Sequence, residues 1–366
     1  MKAELITLHR VTNFGSLLQT YASQKILTSL GVNVEVIDFV PEGLSFKRAI
    51  WPKGHSTIKR AIKLLPNIIV NVFQYSMVDQ FLRSNVNISK KRYKSYHDLE
   101  KDAPEADVYI SGSDQLWNTQ NNNPKDDIKA YYLQFAGPDK KRIAYSGSFG
   151  RYDFSEKEKM NMRNWLFQYD AISVREEAGV GFINELGIDG AIHVLDPTLL
   201  LDKDMWSNFV NKERPSYRYV FVYNLNRNKT VEEIAKKIAK MKKIEIVNFA
   251  DTFEFIRGAK NRLFNRPEDL VYFIKNADYV VTDSFHGTAF SINLNTPFFT
   301  VPAPRFNTRL ESILTLTELK DACYITSSTI SDQLIDQEIE WEKVNSILLE
   351  ERKKANDFLK GALYDE

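Results

Sequence analysis

Asp283, Ser284, His286 and Thr288 crowd into one short stretch around Gly287, so a carboxylate, two hydroxyls and an imidazole fall within a single turn. An imidazole titrates near neutrality and is the side chain best suited to proton transfer in water. Residues 279–281, Tyr-Val-Val, read as a buried strand, and 282–287 as a polar, glycine-ended turn. From Thr288 the apolar positions Ala289, Phe290, Ile292 and Leu294 recur as in a helix that stops before Pro297. The first N–H groups of such a helix have no intrahelical acceptor, and its dipole adds partial positive charge there, so the turn is an anion site. His286 then suits an acid acting on a phosphorylated substrate. The plainer alternative is a capping or packed polar histidine, and the rest of the chain must decide between them.

Other polar turns follow strand-like runs. Residues 4–8 read as a strand, 9–16 as a turn holding Asn13 and Gly15, and Leu17, Leu18, Tyr21, Ala22, Ile26, Leu27 and Leu30 as a helix ended by Gly31 before a strand at 34–39. This is a βαβ unit, and open α/β sheets bind ligands at the carboxyl ends of their strands. Asn13-x-Gly15 is not a GxGxxG fingerprint. A strand at 108–110 opens onto Gly112, Ser113, Asp114, Gln115, Trp117 and Asn118, which would offer amide donors and an aromatic wall. A strand at 143–145 opens onto Ser146-Gly-Ser-Phe-Gly150. Two hydroxyl-rich loops on one sheet edge suit a sugar or a phosphate, with tight-turn chemistry as the plainer account. Arg175 follows a strand at 171–174. Its fork of donors can grip a carboxylate or phosphate, or pair with Glu176, Glu177 or a structural aspartate, and both readings stay open.

At 366 residues, with 43% hydrophobic and 27% charged side chains, the chain reads as a soluble two-domain protein. The boundaries expected are 1–205 for a Rossmann-like domain with a basic helical insertion at about 41–99, 206–340 for a second such domain, and 341–366 for a C-terminal helix. In the second alternation, strands are expected at 219–223 and 244–249, with a helix at 230–242 capped by Thr230. The single cysteine, Cys323, excludes a disulfide framework and a cysteine-rich metal site and fits a reducing compartment. No signal peptide and no membrane span are expected, so the setting is cytoplasmic.

The net charge of +1 hides an asymmetry: between Lys47 and Lys94 there are eleven bases against one acid, Asp79, a local +10 that leaves −9 elsewhere. An apolar stripe, Ile58, Ile62, Leu65, Ile69, Val72 and onward, runs through this segment. It is either the core-facing side of an inserted helical element or an interfacial helix on an anionic membrane leaflet. Nucleic-acid binding is not expected, because the bases are confined to this segment and no recognition motif accompanies them.

Asn13-Phe-Gly15 ahead of a helix, Gly112-Ser-Asp-Gln-Leu-Trp-Asn118, Tyr145-Ser-Gly-Ser-Phe-Gly150, Ser173-Val-Arg-Glu176, Asp196-Pro-Thr198 and Asp283-Ser-Phe-His-Gly287 follow one another in this order. Together they resemble the polysaccharide pyruvyltransferase family, from about residue 10 to about 315. The resemblance implies an α/β chain of two Rossmann-like domains in a GT-B-like arrangement, with the active site in the cleft between them. It implies transfer of the enolpyruvyl carbons of phosphoenolpyruvate to a sugar, as a ketal across two hydroxyls, with release of phosphate. The acceptor would be a surface polysaccharide or its lipid-linked precursor, and no metal or other cofactor is needed.

For the donor, the resemblance implies Arg175 at one anionic group and the His286 loop, with Ser284, Gly287 and Thr288, at the other. His286 would be the acid or base and Asp283 its partner. Asn13, Gly15, Ser113, Asp114, Gln115, Trp117 and Ser146 would be further substrate contacts. Where several family members carry an arginine two residues before the histidine, this chain has Ser284, and Arg305 and Arg309 of the next loop are the cations available to replace it. Two other classes stay open: a glycosyltransferase of the same fold using a nucleotide sugar, and a non-catalytic binding protein.

Overall fold

The computed structural model describes residues 1–44, 58–120, 126–210, 212–250, 253 and 255–364, without the side chains of 58–67. Lys47, Arg48 and Lys53 lie outside the described residues, as do the side chains of Lys59, Arg60 and Lys63, so most of the basic stretch considered for membrane contact falls there. The chain divides into two compact units. The first comprises Met1–His55, Tyr75–Leu200 and Glu351–Glu366, and the second Ser56–Gln74 and Leu201–Glu350.

The first unit holds a sheet of β1 (Lys2–Ile6), β2 (Asn33–Phe39), β3 (Ile88–Tyr93), β4 (Val108–Ser111), β5 (Lys141–Gly147), β6 (Ala171–Val174) and β7 (Ile192–His193). Their spatial order is β3-β2-β1-β4-β5-β6-β7 and every pairing is parallel. The chain therefore winds outward one way from β1 and the other way from β4, which places a topological switch at the carboxyl ends of these two strands. The second unit repeats the plan with β8 (Tyr219–Tyr223), β9 (Glu245–Phe249), β10 (Lys260–Arg262), β11 (Tyr279–Thr282) and β12 (Phe298–Thr300), ordered β10-β9-β8-β11-β12 and again parallel. Its switch lies between β8 and β11. Tyr219–Tyr223 is buried along its whole length, as expected of a parallel strand covered on both faces.

The segment 41–99, expected to be helical, contains the long helix Ile58–Asn85 but also the edge strand β3. Ile-Ser-Lys-Lys-Arg-Tyr hides a strand behind its charges, which sheet edges tolerate. Lys90, Lys91 and Arg92 are exposed while Ser89 and Tyr93 are buried. Arg92 Nε donates to Asp38 Oδ2 of β2 at 2.8 Å. Among the described residues no helix is long and apolar enough to cross a membrane.

Glu4 sits in the middle of β1, fully buried, opposite Glu35 of β2 and 3.0 Å from Lys2 Nζ. Burial pushes its carboxyl up to about 7, against 4.5 for an ordinary glutamate. The folded state thus holds a proton that the unfolded chain loses, so this group's contribution to stability is lost as pH climbs from about 4.5 through 7. Glu4→Gln should raise stability by about 2–3 kcal/mol at pH 8 and hardly at all at pH 4.5, as read by denaturant melts at the two pH values. An equal gain at both would contradict the assignment.

Candidate functional site

In the second unit β11 ends in Thr282, whose Oγ1 donates to the Tyr223 carbonyl at 2.6 Å and accepts from Ser284 N–H at 3.0 Å. The helix starts at Phe285, three residues ahead of the start expected from its apolar spacing. Capping sets the boundary: Ser284 Oγ accepts from Gly287 N–H at 3.4 Å, making Ser284 the N-cap and placing His286 in the first turn. Gly287 has a steric reason, since a Cβ there would run into Thr282 Oγ1. Thr288 Oγ1 donates to the Ser284 carbonyl at 3.1 Å and lies 2.7 Å from Thr300 Oγ1 of β12.

Asp283 is buried, and both of its oxygens accept from the loop after β8: Oδ1 from Leu225 N–H at 2.8 Å, Oδ2 from Asn226 N–H at 3.0 Å. Burial raises its carboxyl above the ordinary value, against the lowering effect of those donors. Its visible work is to tie the β8 loop to the His286 turn. The next helix, Lys229–Lys242, is capped by Asn228 and not by Thr230, because Asn228 Oδ1 accepts the Thr230 N–H at 3.0 Å. His286 is 2% exposed, its ring edge-on to Phe285 at 5.3 Å between centroids. Arg309, from the helix Thr308–Leu316, stands 5.7 Å from the centroid of the same Phe285 ring. Arg309 is thus a cation near this turn, and Ser284 serves as its cap.

In the first unit the predicted residues Asn13, Gly15, Ser113, Asp114, Ser146 and Arg175 gather at the carboxyl ends of β1, β4, β5 and β6. Asn13 is the N-cap of Phe14–Ser29, its Oδ1 accepting from Gly15 N–H at 3.0 Å. Ser16 donates to Asp114 Oδ2. Ser113 Oγ donates to Asp196 Oδ2 at 2.9 Å and lies 3.5 Å from Ser146 Oγ. Arg175 is 3% exposed; its Nη1 donates to Asp196 Oδ2 at 2.9 Å and its Nη2 lies 3.5 Å from Asp114 Oδ1. Arg175 thus pairs with aspartates of its own unit. Glu176 is also buried and accepts from Ser148 and Tyr152 at 2.8 and 2.7 Å. One guanidinium thus shares its surroundings with three carboxylates, an excess of negative charge.

Asp114 holds φ at 86°, a conformation costly for a side chain with a Cβ and one that gathers at functional sites. Gln115 is half-buried and accepts from Asn118 Nδ2 at 3.1 Å. Trp117, expected as an aromatic wall, is wholly buried: it stacks on Tyr132 at 5.4 Å and donates to the Tyr131 carbonyl at 3.2 Å. Gly147 is small because a Cβ there would come within 2.8 Å of this indole.

Sequence reasoning missed a second polar knot beside this one. His9 Nε2 lies 3.0 Å from Asp38 Oδ1, and Arg10 Nε donates to the same oxygen at 2.6 Å. Burial pushes the Asp38 carboxyl up, yet the bonds from His9 and Arg10 outweigh it and hold the group well below the usual carboxylate range. No local pattern announces a contact between positions so far apart; adjacent His9 and Arg10 at a strand end are the one available cue.

Two parallel-sheet α/β domains of this kind define the GT-B-like class. A UDP-N-acetylglucosamine 2-epimerase from Neisseria meningitidis, solved with UDP-GlcNAc, superposes with a TM-score of 0.52 at 9% identity, covering 100% of both chains. MnaA from S. aureus, solved with UDP, gives a TM-score of 0.52 at 11% identity, covering 99% of this chain and 96% of that one. At such identities the likeness is one of fold. No curated protein matches the chain in sequence. Residues 13–302 match the polysaccharide pyruvyl transferase family, and the chain belongs to that family.

Proposed function

We propose that the protein moves the pyruvyl group of phosphoenolpyruvate onto two hydroxyls of a glycan sugar, closing a ketal and releasing phosphate. Beyond family membership, one observation carries the reading: His286 lies buried in the first turn of Phe285–Asn293, with Arg309 against the ring of the adjacent Phe285. The donor's phosphate takes the N–H groups of that first turn and the Arg309 guanidinium. Protonated His286 gives its proton to the donor's methylene carbon, which becomes a methyl group and leaves an oxocarbenium-like centre. The first sugar hydroxyl adds there and returns a proton to His286. The second hydroxyl displaces phosphate, and its proton leaves with the phosphate.

In the first unit the excess of negative charge around Arg175 would repel an anionic donor, which favours the second unit for phosphoenolpyruvate. Arg175 is here a positioning residue that holds Asp114 and Asp196 in place.

Calorimetric titration with phosphoenolpyruvate tests the donor site. Loss of one charge-assisted contact in Arg309→Gln should weaken binding by about tenfold or more. Affinity equal to the parent protein's, with the fold intact, would remove Arg309 from the account.

A further inference from the structure

A groove of about 420 Å³ opens on the second unit, and Lys212, Tyr217, Arg262, Asp269, Tyr272 and Phe273 line it. Tyr217 stands just before β8, at the end of the sheet opposite the His286 turn. Tyr219, the first residue of β8, donates its hydroxyl to the Phe273 carbonyl at 2.9 Å, so the helix Pro267–Asn276 packs over that end. The groove is therefore separate from the anion site at the carboxyl end of β11.

Each ring at the groove carries a cation. Lys260 Nζ lies 3.5 Å from the Tyr217 centroid, the Arg262 guanidinium 4.8 Å from Phe273, and Lys212 Nζ 5.6 Å from Tyr272. Lys212 pairs with Asp269 at 2.9 Å and Lys260 with Glu245 at 2.5 Å. Among the described residues no carboxylate pairs with Arg262, which is exposed although it rests on a buried ring. The contact holds the guanidinium against the ring, and its exposure leaves N–H groups for a planar anion. Tyr272 is further fixed by donation to the Glu213 carbonyl at 2.7 Å.

We propose that this groove is a second binding site, for an acidic glycan. A sugar ring lies along Tyr217 and Tyr272, and its carboxylate is taken by Arg262 with Lys212 alongside. The volume is that of a small-ligand site. The choice of ligand class rests on the pyruvyl-transfer reading, because ketal formation leaves a carboxylate on every modified sugar. A nucleic acid fits less well, since its affinity comes from neutralising many phosphates and two of the three cations here already have carboxylate partners. A polymer held here is tethered to the protein, which raises the effective concentration of its other sugars at the reacting centre.

The test is calorimetric titration with alginate oligosaccharides, which bear carboxylates, against neutral dextran and a single-stranded oligonucleotide. Alginate should bind and dextran should not, and Arg262→Gln should weaken alginate binding by about tenfold at unchanged melting temperature. In turnover, the same variant should raise KM for a long-chain acceptor and leave KM for a short one unaltered. Alginate that does not bind, alginate bound equally by Arg262→Gln, or an oligonucleotide bound more tightly than alginate would each overturn the proposal. Alginate held through Arg262 by a protein that does not turn over phosphoenolpyruvate would uphold this site and remove the proposed reaction.

Discussion

His286→Ala should lower phosphoenolpyruvate turnover by roughly 10²- to 10⁴-fold, the usual worth of a positioned acid–base group. The variant deletes the one imidazole in the first turn of Phe285–Asn293 while leaving the N-cap bond from Ser284 and the glycine contact with Thr282 in place. Phosphoenolpyruvate binding should therefore fall far less than turnover. Because His286 is buried, some stability will be lost with its packing, and His286→Gln, which fills most of the volume, guards against that. Both variants should be slow and folded. Turnover within a fewfold of the parent would take the proton transfers away from His286, and an unchanged cellular role without turnover would favour a binding protein.

Arg175→Ala carries the largest expected effect on stability. Removing the guanidinium leaves Asp196, Asp114 and Glu176 buried together without their cation, and breaking a buried pair from one side costs about 3–5 kcal/mol. Denaturant melts of the variant and its parent read this directly. A deficit below about 1 kcal/mol would mean that the guanidinium is not what neutralises the cluster.

These two sites differ in how far the sequence reveals them. The β11 turn is legible because a buried parallel strand, Tyr-Val-Val-Thr, and a polar glycine-ended turn are both local patterns. Apolar spacing begins at Ala289 and so points to a late helix start, whereas the boundary is fixed by the hydroxyl of Ser284, a cap that carries no apolar signal. The first-unit cluster is different in kind. Arg175, Asp196 and Asp114 come from separate strand ends, and only the parallel order of β4, β5, β6 and β7 brings them into contact. The same holds for Trp117, whose amphipathic ring reads equally as a ligand wall or a core plug until Tyr132 and Gly147 are seen against it. β3 was hidden by composition, since its lysines and arginines look like a solvated helix face until one edge of a sheet needs covering.

Pyruvyl transfer is tested most directly by phosphate release from phosphoenolpyruvate, followed with and without a pool of glycan acceptors and with the glycan product analysed for a ketal carboxylate. Release that requires acceptor, matched by pyruvate carbons on the glycan and lost in His286→Ala, is the predicted result. Failure of phosphoenolpyruvate to bind, or turnover of a nucleotide sugar in its place with these acceptors, would contradict it.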